Sequence, residues 1–220
     1  MDGAADLRRR AIEDPDGFWL EAAQAIDWAQ PPTMAGGGTP EPGAPWFADG
    51  ILNTAHNALD RHVAAGRGDQ LALIYDSPVT DTVARFTYSE LRDEVARLAG
   101  AMRALGVGKG DRVLLYMPMV PEVVFGMLAC ARLGAIHSVV FGGFAANELA
   151  VRVEDARPKL LLTASCGIEG ARVIPYQPLV EEALARSAHE PDARIVLQRP
   201  QLEVKLRDRK STRLNSSHRL

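Results

Sequence analysis

The sequence predicts an α/β fold: a partial multilayer domain with a mostly parallel sheet flanked by helices, preceded by a small helical amino-terminal segment. Three observations carry this. From Arg112 onward, short apolar runs alternate with longer helical ones in the order β-α-β-α-β-α-β. The runs themselves, such as Val113-Leu114-Leu115-Tyr116 and Leu160-Leu161-Leu162, are apolar at successive positions, which suits strands covered on both faces and joined by right-handed crossovers. Ahead of them, a helix-forming stretch is cut off by a segment rich in Gly and Pro.

Asp14-Pro15 opens a helix that puts Phe18, Ala22 and Ile26 on one face and ends before Pro31-Pro32. Residues 32–45, with Gly36-Gly37-Gly38, form an extended linker or a strap. Asn53 caps a second helix over 54–65, with Leu59 and Val63 turned one way. Strands at 71–75 and 83–86 flank the turn-rich 76–81 and make a hairpin. Thr87-Tyr88-Ser89-Glu90 is a capping box, and Leu91, Val95, Leu98, Met102 and Leu105 recur at helical spacing until Gly106 or Gly108 ends the helix. The remaining strands are placed at Arg112–Met117, Ile136–Phe141, 159–163 and 194–197, with helices at Pro121–Leu133, 145–155 and 179–187. The helix after Pro121 is apolar nearly all round and is expected in the interior of a larger body. Three segments follow: 1–62, the helical segment and strap; 63–204, the α/β part; and 205–220, which has no apolar period or turn logic and is set outside the fold as a non-native tail.

The chain has 220 residues, 47% of them apolar, enough for one sizeable core. Its formal charge of −3 hides a tail, 205–220, with a balance of +5 that leaves −8 on the rest. That balance argues against nucleic acid or an anionic membrane as partner of the body, while a basic arm at the tail predicts salt-sensitive binding lost on its deletion. No signal or transit peptide is recognisable, the longest nearly unbroken apolar run falls far short of the roughly 20 residues that span a bilayer, and Cys130 and Cys166 stand apart. A cytoplasmic location with reduced thiols is the expectation.

Two features carry chemistry. In Val139-Val140-Phe141-Gly142-Gly143-Phe144 a strand runs into two glycines and then a helix, either a plain tight turn or a cradle whose amides meet a phosphate. Gly167-Ile168-Glu169-Gly170-Ala171-Arg172 sits just past another strand, at the carboxyl edge where parallel sheets gather ligands, so that Arg172 is either a solvated cation or a phosphate contact. Neither a dinucleotide fingerprint nor a P-loop is present. His56 with Asp60, His137, and Glu154 with Asp155 read as structural or surface groups, so no catalytic residue and no metal ligand is assigned.

A longer pattern lies over these features. Trp46-Phe47, Leu52-Asn53, Asn57-Ala58-Leu59-Asp60-Arg61-His62, Phe86-Thr87-Tyr88-Ser89-Glu90-Leu91 and Gly108-Lys109-Gly110-Asp111-Arg112-Val113 are followed by a run from Tyr116-Met117-Pro118-Met119-Val120-Pro121-Glu122 to Gly142-Gly143-Phe144. In this order, and up to about Pro200, they resemble the acetyl-CoA and propionyl-CoA synthetases, short-chain acyl-CoA synthetases of the adenylate-forming superfamily. Ile74-Tyr75-Asp76-Ser77-Pro78 and Pro175-Tyr176-Gln177-Pro178-Leu179 are closer to the propionyl-CoA type. The resemblance implies a ligase that joins a short-chain carboxylate, propionate ahead of acetate, to coenzyme A through an acyl-adenylate, using ATP and magnesium. It also implies that the chain is an inactive amino-terminal fragment that holds none of these tightly. By the same resemblance Gly143 and Arg172 contact the nucleotide end of coenzyme A, while Glu169 stands where the family has a second cation. The alternative is a non-catalytic module that binds coenzyme A or a nucleotide through the same residues.

Overall fold

A computed structural model describes residues 3–36, 43–143, 145–206 and 211–214. The chain divides into two compact units, Met1–Arg61 and His62–Leu220.

In the first unit, α1 spans Ala4–Glu13 and α2 spans Pro15–Ala23. Asp14 caps α2, its Oδ1 accepting from the Gly17 amide at 3.0 Å, with Pro15 in the first turn. The helix expected to reach Ile26 ends at Ala23, whose carbonyl accepts from Trp28 Nε1 at 2.9 Å. Asn57 then brackets Asp27, its amide donating to the Asp27 carbonyl and its oxygen accepting from the Asp27 amide, both at 2.8 Å. Arg61 donates twice to the Ala25 carbonyl at 3.0 Å. The Asn57-to-Arg61 stretch therefore serves to clamp the loop after α2. Gly37 and Gly38 of the linker lie outside the described residues.

The second unit opens with an antiparallel hairpin of β1 (Leu71–Ser77) and β2 (Thr82–Thr87). Helix α3 (Tyr88–Ala104) follows directly, with the capping box complete: Thr87 Oγ1 accepts from the Glu90 amide at 3.2 Å, and Glu90 Oε2 accepts from the Thr87 amide at 2.8 Å. It ends in a Schellman turn, where Gly106 takes φ +85° and the Val107 amide donates to the Met102 carbonyl at 3.0 Å.

The sheet is built from β3 (Arg112–Met117), β4 (Ile136–Phe141), β5 (Leu160–Ala164), β8 (Ala193–Leu197) and β9 (Ser211–Leu214). Its order is β4-β3-β5-β8-β9 and every pairing is parallel. Helices α4 (Pro121–Leu133), α5 (Ala146–Ala156) and α6 (Tyr176–Arg186) connect the first four strands, with a small hairpin of β6 (Cys166–Glu169) and β7 (Arg172–Pro175) inserted before α6. Leu114, Leu115, Leu160, Leu161 and Leu162 are wholly buried in β3 and β5, and no residue of α4 is exposed.

The expectation that the strand leading into Gly142 is buried is corrected. Ile136, Val139 and Phe141 are exposed, because β4 is an edge strand with β3 as its one neighbour, and Val140 is its buried residue. Apart from this, residues 211–214 form β9 alongside β8, with Leu214 opposite Leu197. Parallel pairing there needs main-chain groups rather than an apolar period, which is why the sequence pattern does not announce it.

The loop before β3 is fixed by Asp111, which accepts from the Gly108 amide at 2.8 Å and from Lys159 Nζ at 3.2 Å. The Gly108 amide, with Lys159 behind it, holds this carboxyl below its usual range. With both partners half-exposed, Asp111→Ala is expected to cost about 1 kcal/mol in a urea melt. A carboxylate with a lowered folded-state pKa stabilises fully above the ordinary aspartate range and loses that contribution as pH falls through the lowered value. Wild type and variant should therefore converge in acid.

Candidate functional site

The chain order of the sheet leads from β3 outward to β4 and then back past β3 to β5, so the topological switch lies between β3 and β5. Crevices outside the carboxyl ends of strands at such a point are where open α/β sheets take ligands. Here that edge carries Met117, Gly142 and Gly143 from the β3 and β4 side and Ser165, Cys166 and Gly167 from the β5 side.

Tyr176, the first residue of α6, fills the space between the two sides. Its ring stacks on Tyr116 of β3 with centroids 4.9 Å apart and planes at 29°. A side chain on Gly167 would begin 2.5 Å from the Tyr176 hydroxyl, and one on Gly142 would collide with the same hydroxyl and lie 2.7 Å from the Met117 carbonyl oxygen. Neither glycine takes a positive φ. They are glycines for want of room, not for backbone freedom. A Cβ on Gly143 would instead meet the ring of the exposed Phe141, at 2.5 Å from its nearest atom. Burial pushes the Tyr176 phenol up to about 12, with Tyr116 adding to the shift, so the hydroxyl keeps its proton across the neutral range.

Beyond Tyr176, Ser165 is fully buried and its Oγ accepts from the Arg199 amide at 2.9 Å, while Arg199 Nη1 donates to the Cys166 carbonyl at 3.2 Å. These bonds tie the end of β8 to the start of β6.

The two residues chosen from sequence sit on different elements. Gly143 follows β4, and Arg172 stands on the β6–β7 hairpin, which turns through Gly170-Ala171 with Gly170 at φ +58°. Arg172 is exposed and donates to Glu169 at 2.9 Å, the residue opposite it in the ladder. Glu169 therefore holds Arg172 in an exposed ion pair. Gly142 and Gly167 belong to the two motifs read from sequence, but their fit against Tyr176 is announced by neither, because it is formed only when α6 closes on the sheet.

A separate cavity of about 420 Å³ opens between the β1–β2 hairpin, α3, the start of α4 and residues 197–201, with Glu94, Arg97, Glu122 and Arg199 among its lining. Burial raises the Glu122 pKa, and Arg199 opposes that rise. Neither Gly143 nor Arg172 lines it. Among the described residues, no group of three or more His, Cys, Asp or Glu is placed to hold a metal ion, and no helix is long and apolar enough to cross a membrane.

Comparison with known proteins bears on this edge of the sheet. The model of the AMP-binding enzyme family matches residues 60–217, and that of the acetyl-coenzyme A synthetase N-terminus matches residues 4–58. The chain belongs to the AMP-binding enzyme family. An acyl-CoA synthetase short-chain family member 3 of Bos taurus is 49% identical over 194 residues, covering 88% of this chain and 28% of that protein. A propionate–CoA ligase of Salmonella typhimurium is 46% identical over 187 residues, 85% of this chain and 30% of its own length. Acetoacetyl-CoA synthetase from Streptomyces lividans superposes with a TM-score of 0.84 at 30% identity, over 97% of this chain and 32% of that one. The chain thus spans about a third or less of the length of these relatives. The two family models divide it at residues 58 to 60, close to the boundary between its two compact units at Arg61.

Proposed function

We propose that this chain belongs to an ATP-dependent ligase that joins a short-chain carboxylate, propionate ahead of acetate, to coenzyme A through an acyl-adenylate, and that its own share is to receive the nucleotide end of coenzyme A. The observation that carries this is the carboxyl edge of the sheet at the β3/β5 switch, where Gly142 and Gly143 follow β4 and Arg172 stands on the adjoining hairpin. Relatives named as propionate–CoA ligase and acyl-CoA synthetase support the reaction class. Magnesium and ATP enter with the adenylation step, for which the described residues offer no ligand cluster. On this reading the chain alone binds coenzyme A weakly and does not exchange pyrophosphate into ATP.

Two substitutions test it in opposite directions. Arg172→Ala is expected to weaken coenzyme A binding by the chain severalfold, and Glu169→Gln, which releases Arg172 from its exposed ion pair, to strengthen it by about twofold to threefold. Amide shifts followed during a coenzyme A titration read both. Acid-dependent pyrophosphate exchange by the chain alone would overturn the assigned share, tight coenzyme A binding without it would favour a non-catalytic module, and indifference of both variants would remove Arg172 from the site.

A further inference from the structure

The Tyr176 side chain is the group at this edge that the family resemblance leaves without a role. Its side chain is 4% exposed, none of the hydrogen bonds among the described residues involves its hydroxyl, and the hydroxyl oxygen is not sealed from the surface. The main-chain amide of Tyr176 does have one, donating to the Ser165 carbonyl at 3.1 Å, so the residue is anchored by its backbone and by its ring rather than by its hydroxyl. A hydroxyl that lines the slot without a protein partner is open to a ligand there. The hydroxyl lies between two glycines whose missing side chains leave main chain as the walls of the slot, and those glycines flank the turn after β4 and the hairpin that bears Arg172.

Resting on the coenzyme A reading above, we propose that the Tyr176 hydroxyl is a binding group of this site, donating a hydrogen bond to a phosphate oxygen of the ligand's nucleotide end between Gly142 and Gly167. The raised phenol pKa suits the role, since a donor that stays protonated attracts a phosphate where a phenolate would repel it. The stack on Tyr116 fixes the ring before ligand arrives, so little freedom is lost on binding.

The test compares the 220-residue chain with its Tyr176→Phe variant, titrating coenzyme A and, separately, adenosine 3′,5′-bisphosphate, which keeps the phosphates and lacks the pantetheine arm. Phenylalanine preserves the ring stack and removes the donor. Affinity for both ligands should fall about tenfold, as for a hydrogen bond to a charged acceptor, while the melting temperature stays level. Gly167→Ala, which pushes a Cβ into the hydroxyl, should weaken binding of both ligands as well. Equal affinity of Tyr176→Phe and wild type would overturn the proposal and leave the coenzyme A reading standing. Loss of coenzyme A affinity without loss for the bisphosphate would overturn the phosphate assignment. A parallel fall in melting temperature and affinity would make Tyr176 structural only. If wild type binds neither ligand, the coenzyme A reading fails and takes this inference with it.

Discussion

Replacing Leu162 by alanine should remove about 3–4 kcal/mol from the stability of the His62–Leu220 unit, read as a shift of its urea midpoint at unchanged slope. Leu162 is wholly buried in β5, between Leu115 of β3 and Ile195 of β8. From the helix side α4 comes so close that a Cβ on Gly126 would lie 2.8 Å from both the Leu115 and the Leu162 side chains. A cavity opened there is walled by two strands and a helix, none of which can settle into it without disturbing the register of the sheet, so the cost belongs near the top of the range for such truncations. Ile195→Val, which removes a single methyl from the next strand, should cost about 1 kcal/mol. A Leu162→Ala loss below about 1 kcal/mol would show that α4 does not close on β5 in solution.

The parts of the fold that were legible in the sequence are those whose determinants are local. Helix α3 announces itself through Thr87 and Glu90, which cap each other three residues apart, and through Gly106, which permits the left-handed turn at its end. Strands β3 and β5 are readable because strands covered on both faces need apolar residues at consecutive positions. The same composition misleads at β4. Ile136, Val139 and Phe141 are as apolar as the residues of β3, yet nothing local says that β4 has one neighbouring strand instead of two. Position in a sheet is a property of the whole chain. The β6–β7 hairpin is too short, at four residues a strand, for alternation to rise above chance, and its turn signal is the single Gly170. The site shows the same division. Gly143 was found through the long run in which it stands, and Arg172 through its place after a strand. Gly142 was read as half of a phosphate cradle, but its fit to Tyr176 went unread because each is defined by the other: a hydroxyl on α6 and a missing Cβ after β4.

That mutual fit makes Gly142→Ala the second large effect. Its new methyl would press on the Tyr176 hydroxyl and stand 2.7 Å from the Met117 carbonyl oxygen, closer than real Cβ atoms approach main chain. The phenol can tilt by giving up part of its stack on Tyr116, but Met117 closes β3 in register with Phe141 and cannot yield without moving the strand end. The expected result is a loss of about 2 kcal/mol in a urea melt together with at least about a tenfold loss of coenzyme A affinity, because the turn and the hydroxyl are displaced at once. Gly143→Ala is the contrast. Its nearest contacts are atoms of the exposed Phe141 ring, a side chain rather than main chain, so the fold should lose less than it does in Gly142→Ala while any ligand lying on the Gly143 main chain is still obstructed. If both alanines lower stability alike, crowding at Gly142 is not the constraint. If Gly142→Ala melts as described yet binds coenzyme A like wild type, the carboxyl edge of this sheet is a packing feature and the ligand sits elsewhere.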